Sequence, residues 1–490
     1  MNGRPTTRVR RPVVVAAAFA VAAVVVRLAF LGAPVGSDEA GFLLVADQWH
    51  PGASLYGDYW VDRPPLLLAI FALSSGLTAV RLAGCLAVVV VVAAVAVAAG
   101  RLAGSRAAVV AAGSAAAWCS MPWLGIVRVN GEVLAAPFVA VSIAATVLAL
   151  HAPTRRHRVV LAIGAGVCAA AAVGVKQSSV DALVFALVAL VSLWLARPER
   201  RRDAIDVLVG GIVGGIVVTA ALLALAAARG TGARDLFEAV VTFRIDAGET
   251  IRTASTAATD ERFGALAATW VVSGLAVVAV AAVVLAVRRR DPFVVATAAT
   301  VLAGSVVAVL GGSYWAHYLL ALVPASAVAA GLLAATVRPR VLAGGAAWLA
   351  VATAVSVGHT VVAGVDEGIE AEVVGHQLHA VAAPGDTAVV AYGQPDVLWN
   401  AGLSSPYPYL WSLPVRVRDP GLDDLVAVLE GPRPPVWVVD WSGFDSWAVD
   451  ADRFTAVVER SYTRSGRVCG RTVWVLRGAD RAPFGDGPCR

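Results

Sequence analysis

What most constrains this chain is a series of apolar runs, each near the length of a bilayer crossing and set off from the next by arginine clusters. An α-helix needs ~20 predominantly apolar residues to cross ~30 Å of hydrocarbon. Of the 490 residues, 59% are hydrophobic and 15% charged, a balance foreign to soluble globular domains. Arginines gather at Arg8–Arg11, Arg101–Arg106, Arg155–Arg158, Arg197–Arg202, Arg288–Arg290 and Arg338–Arg340. The intervening connections are less basic or acidic, which is the positive-inside pattern and places the clusters in the cytoplasm. A formal net charge of +5 is too small to argue for nucleic acid, and no nucleic-acid partner is expected.

Runs near 13–31, 80–99, 107–126, 132–150, 159–175, 180–196, 206–228, 264–287, 293–311, 319–337 and 341–362 predict about eleven transmembrane helices. Eleven crossings put the N-terminus inside, the C-terminus outside and every arginine cluster inside. The first run admits two readings, a retained helix or a secretory signal cut near Gly32; its ~19 apolar residues exceed a usual signal core, which favours retention. The expectation is a mainly α, polytopic plasma-membrane protein. Its membrane domain covers 1–363, and a small extracytoplasmic α/β domain follows over 364–490.

In that tail, Glu367–Ala382 reads as an amphipathic helix and Leu422–Glu430 as a second helix. Thr387–Tyr392 and Val436–Asp440 read as buried strands, and Tyr462–Val468 with Val473–Arg477 as a hairpin. Cys85, Cys119 and Cys168 lie in apolar runs, whereas Cys469 and Cys489 lie outside, where a disulfide can form. Without C-x-x-C spacing no structural zinc site is expected.

Gly36–Leu68 interrupts two of the most apolar runs with Asp38, Glu39, Asp47, Asp58, Asp62 and Arg63, together with Trp49, Tyr56, Tyr59 and Trp60. Pro65–Leu77 is too short to cross and reads as an interfacial or re-entrant helix started by the prolines. Further polar groups fall in outer connections: Arg128, Asn130 and Glu132; Lys176 and Gln177; the long Gly230–Phe263; and His317 and Tyr318. The expected topology brings them to the same side as Asp38.

The segments D-E-A-G-F and L-Y-G-D-Y-W-V-D-R-P-P-L resemble the first outer loop of the GT-C membrane glycosyltransferases, in particular glycosyltransferase family 39 with its protein mannosyltransferase and aminoarabinose transferase types. A-V-R-L-A-G, R-V-N-G-E, V-K-Q-S and W-A-H-Y-L-L-A-L-V-P follow in matching order. The similarity runs over roughly 30–325, with the tail only loosely alike, and the family's usual lysine before Pro-Pro-Leu is Arg63 here.

The resemblance implies transfer of a sugar from a polyprenyl-phosphate donor to an acceptor hydroxyl on a glycan, lipid or protein at the outer membrane face. The leaving phosphate is already ionised, so the chemistry needs a carboxylate to take the acceptor proton and cations to hold the phosphate. Asp38 matches the family's catalytic carboxylate, with Glu39 behind it and Glu132 at the second acidic position. Arg63, Arg128 and Lys176 are the phosphate candidates. Asp62, Asn130, Gln177, His317 and Tyr318 are the substrate-lining candidates. Carboxylates are abundant enough outside for a divalent metal, but no convincing ligand set stands out and none is assigned.

Plainer readings exist for several of these. Trp49, Tyr56 and Trp60 could be interface anchors, Arg81 and Arg128 could reach lipid phosphates, and His317 with Tyr318 could simply close a helix end. A secondary transporter is the rival class, yet transporters concentrate ionisable groups at mid-membrane within repeats, and no repeat is evident here. Lys176 is the one lysine in a chain that otherwise meets every basic need with arginine, which argues for a selected amine. Lys176→Arg keeps the charge and changes the geometry, so its turnover at subsaturating donor should fall below wild type; equal turnover would remove the argument.

Overall fold

The computed structural model describes residues 6–48, 56–254 and 256–489; Trp49 lies outside them. Two compact units emerge. One comprises Met1–Gly32, Thr78–Leu223 and Ala257–Val362; the other comprises Ala33–Leu77, Ala224–Thr256 and Ala363–Arg490. The second unit thus gathers the segment that follows the first helix and the long connection over 224–256 with the tail.

The first unit is helical. All eleven predicted runs contain helix, and among the described residues eight helices are long and apolar enough to cross a membrane, or nine if a bent pair is one crossing. The chain is built as a multi-pass membrane protein. Two runs fall short of the expected length. Asp181–Ala196 has 16 residues. Ser105–Trp118 has 14, or ~21 Å of helix. Its predicted extension to 126 fails because Pro122 disfavours helical backbone before it. Pro122–Leu124 forms a 3₁₀ turn instead, closed by Gly125 at φ 76°.

The run expected over 264–287 is also broken. Ala257–Val272 and Leu275–Arg289 meet at 62° across Gly274, which adopts φ 80°. A break in an apolar helix frees carbonyls that need partners. Here two indoles supply them: Trp118 Nε1 donates to Ser273 O at 2.8 Å, and Trp348 Nε1 to Val272 O at 3.0 Å.

The second unit holds a five-stranded sheet in the order β1-β2-β4-β3-β5. Its strands are β1 (Ala388–Ala391), β2 (Trp437–Asp440), β3 (Tyr462–Val468), β4 (Arg471–Leu476) and β5 (Gly485–Gly487). β1 and β2 are parallel, β4 runs antiparallel to β2 and β3, and β3 and β5 are parallel. The helix Asp423–Glu430 buries Leu425, Val426 and Leu429 in the same core as Val389 and Val438. Cys469 and Cys489 form a disulfide. The segment after the first helix contributes the helices Ser37–Asp47 and Pro65–Leu73, the latter with Pro65 in its first turn, and Phe42 meets Phe71 edge-on at 5.3 Å.

Helices of the first unit approach closely where small residues permit it. A Cβ on Gly166 would lie 2.0 Å from Gly211 O, and one on Gly214 would lie 2.1 Å from Ile163 O, whereas Gly215 has nothing within 4 Å. Gly214→Ala should therefore destabilise by about 1–3 kcal/mol through overpacking, read as a lowered thermal transition in detergent. Gly215→Ala, one position along the same helix, should leave that transition in place; equal losses at both would contradict the packing account.

Candidate active site

In the second unit the candidates Asp38 and Glu39 stand in the first turn of the helix Ser37–Asp47. Glu39 is fully buried and folds back to accept from Gly36 N at 3.3 Å, half of a capping arrangement. Asp38, in the same first turn, is half-buried. Its carboxylate makes no hydrogen bond or ion pair among the described residues. Adjacent carboxylates have therefore separated, one spent on the helix end and one left available. Beneath them Gly41 lets the Trp411 ring lie on the helix, since a Cβ there would sit 2.1 Å from Trp411 Cζ2.

Asp62 and Arg63 lie just before the Pro64-Pro65 pair. Asp62 is buried between two guanidiniums, with Arg63 Nη1 at 2.5 Å and Arg244 Nη1 at 2.9 Å. Burial pushes the Asp62 carboxyl up, but the charges and hydrogen bonds of Arg63 and Arg244 outweigh it and hold the group below the usual aspartate range. Tyr56 Oη donates to the Arg63 carbonyl at 3.0 Å, so the backbone at Arg63 is tied as well. Behind it Trp60 packs against Phe243 with centroids 4.6 Å apart and lies 4.3 Å beneath the Arg418 guanidinium. Tyr59 is fixed by Gln48, which bonds its N–H and C=O, and its phenol oxygen accepts from Ser405 N at 2.9 Å.

Sequence reasoning missed Arg244. It stands in the long connection already noted for its charges, but nothing local reveals that it closes on a carboxylate 182 residues earlier.

In the first unit Glu132, Lys176, His317 and Tyr318 come together from three helix ends. Glu132 opens the helix Gly131–Leu150, Lys176 follows the last residue of Arg155–Val175, and His317 and Tyr318 lie in the 3₁₀ turn Ala316–Leu322. Lys176 Nζ donates to Glu132 Oε1 and sits 4.6 Å from the Tyr318 ring centroid, a cation–π contact. His317 Nε2 is 3.8 Å from the same Glu132 oxygen. Two glycines make the cluster compact: a Cβ on Gly125 would strike His317 Cβ at 2.5 Å, and one on Gly131 would press on the Lys176 stem at 3.2 Å.

The remaining candidates take other places. Asn130 Oδ1 accepts from Val133 N at 3.1 Å, so this side chain caps the helix that carries Glu132. Arg128 lies half-buried in the preceding turn, and Gln177 half-buried in the turn after Lys176. A residue not expected is Asp181, which is buried, with Oδ1 lacking a hydrogen bond. Among the described residues no three His, Cys, Asp or Glu side chains gather as a metal-ion set.

No protein-family model and no curated protein matches the chain. Solved structures do. ArnT from Cupriavidus metallidurans bound to undecaprenyl phosphate aligns with 94% of this chain and 98% of its own at a TM-score of 0.66 and 15% identity. The same ArnT in the apo state aligns with 94% and 97% at a TM-score of 0.51 and 13% identity. The Archaeoglobus fulgidus oligosaccharyltransferase in the apo form covers 88% of this chain and 69% of its own at a TM-score of 0.51 and 12% identity. At such identities the likeness is one of fold, and by that measure the chain has the GT-C fold.

Proposed function

We propose that the chain is an integral-membrane glycosyltransferase that moves a sugar from a polyprenyl-phosphate donor to an acceptor hydroxyl at the outer face of the plasma membrane. The observation that carries this reading is the fold match over 94% of the chain to a structure holding undecaprenyl phosphate. The order of the family-like motifs supports it independently. So does the arginine pattern, under which the Lys176 end of the helices is expected outside.

The acceptor oxygen attacks the anomeric carbon, the bond from that carbon to the phosphate oxygen breaks, and the phosphate leaves with the electron pair. The proton of the acceptor passes to Asp38, a half-buried carboxylate with no hydrogen bond or ion pair among the described residues. Lys176, held by Glu132 and the face of Tyr318, presents a fixed ammonium for the phosphate. Arg63, the residue before Pro-Pro-Leu in the family resemblance, is ordered by Asp62, with Arg244 as the second guanidinium on that carboxylate. Glu39 and Asn130 support the reaction by setting helix starts.

Asp38→Asn removes the base and almost no volume. Turnover should fall by about 10²-fold or more, while donor binding and the thermal transition stay near wild type. Transfer within a few-fold of wild type would overturn the assignment of Asp38.

A further inference from the structure

The end of the helical unit that carries the arginine clusters contains a cavity of about 340 Å³. Glu132 opens and His151 follows the same 20-residue helix, so this cavity lies ~30 Å from the Lys176 cluster and takes no part in the reaction proposed above. Its polar wall is Arg197, Arg200, Arg289, His151 and Asp291; its floor is apolar, with Leu102, Leu193, Leu285, Phe293 and Leu332.

The charges there are not balanced within the protein. Asp291 spends its carboxylate capping the next helix, with Oδ1 accepting from Phe293 N at 3.0 Å and Val294 N at 3.3 Å. Arg200 is fixed, donating from Nη2 to Leu150 O and from Nε to Asp203 Oδ2 at 3.2 Å. Arg197 and Arg289 have no side-chain hydrogen bond or ion pair among the described residues. Burial, with the charges of Arg101 and Arg200, outweighs a hydrogen bond to the Val147 carbonyl and the charge of Asp291 and holds the His151 imidazole below its usual range. Its stacking on Phe293, with centroids 5.1 Å apart, leaves it as part of the wall.

We propose that this cavity is a second phosphate site, which binds a phosphate mono- or diester through Arg197, Arg289 and the pre-set Arg200. Guanidinium groups match phosphate oxygens in geometry as well as in charge. Basic pockets between transmembrane helices on the cytoplasmic side suit anionic lipid headgroups, and the apolar floor gives the glycerol and first methylenes of such a lipid a surface to lie on. A free phosphate compound is the other source of the same chemistry.

The full-length protein in phosphatidylcholine nanodiscs is titrated with short-chain phosphatidylglycerol, and separately with inorganic phosphate, binding being read by native mass spectrometry. Wild type should bind phosphatidylglycerol saturably. The Arg197→Gln/Arg289→Gln double variant should bind it roughly thirtyfold more weakly, at about 1 kcal/mol per arginine. Arg340→Gln, at the same end of the helices but outside the cavity lining, should bind like wild type. Displacement of the lipid by inorganic phosphate assigns a soluble source, and failure to displace it assigns the headgroup; either outcome keeps the site. Should the double variant lose its thermal transition, the two single variants carry the test at roughly fivefold each. Unchanged binding in the arginine variants, or an equal loss in Arg340→Gln, would show diffuse surface attraction and overturn the proposal.

Discussion

A bilayer offers a freed backbone carbonyl no water, and that constraint shapes this chain from its helix lengths to its broken crossing. Where the helix bends at Gly274, the released carbonyls of Val272 and Ser273 are each met by an indole N–H from another helix. Trp118 is at once the last residue of its own short helix and the donor that stabilises the break in another. Small residues complete the arrangement by letting backbones approach: Gly166 and Gly214 stand where any Cβ would strike a neighbouring carbonyl.

The same scarcity of water decides how ionisable groups are placed. Buried carboxylates need partners, and Glu132 has Lys176, while Asp62 has Arg63 and Arg244. Glu39 is absorbed into a helix cap. Asp38 differs in being half-buried and unpaired among the described residues. Arginine serves nearly everywhere in this chain, and the one lysine sits between a carboxylate and an aromatic face.

The apolar runs were legible because crossing length is a property of a single segment. Their interruptions were less so: the run expected to reach 126 stops at Trp118, ahead of Pro122, and the run over 264–287 hides a break that Gly274 alone does not announce. In the tail, four of the five strands and the helix over 422–430 followed from local periodicity, as did the helix Ile369–Val381, whereas the three-residue strand Gly485–Gly487 did not. The short helices Pro395–Ala401 and Ser412–Arg418 carry too few turns to show a pattern, whereas Asp452–Ser461, which buries Phe454, Val457 and Val458 on one face, was legible and was not read. Of the candidate residues, Glu132, Lys176, His317 and Tyr318 do assemble, because each marks a helix end. Asn130, read as a substrate ligand, is seen to cap the helix that carries Glu132, a use of its side-chain oxygen that the sequence did not show. Arg244 and Trp411 are long-range partners of Asp62 and Phe42, and long-range pairing leaves no local trace.

The central claim is that a polyprenyl-phosphate sugar is the donor. The direct measurement is binding of a panel of such sugars to the purified, detergent-solubilised protein, with wild type compared against Arg63→Ala. The account predicts saturable binding of at least one member, weakened in the variant by about tenfold or more for a lost charge-assisted phosphate contact. Equal affinity in both proteins, or no binding across the panel, would contradict it.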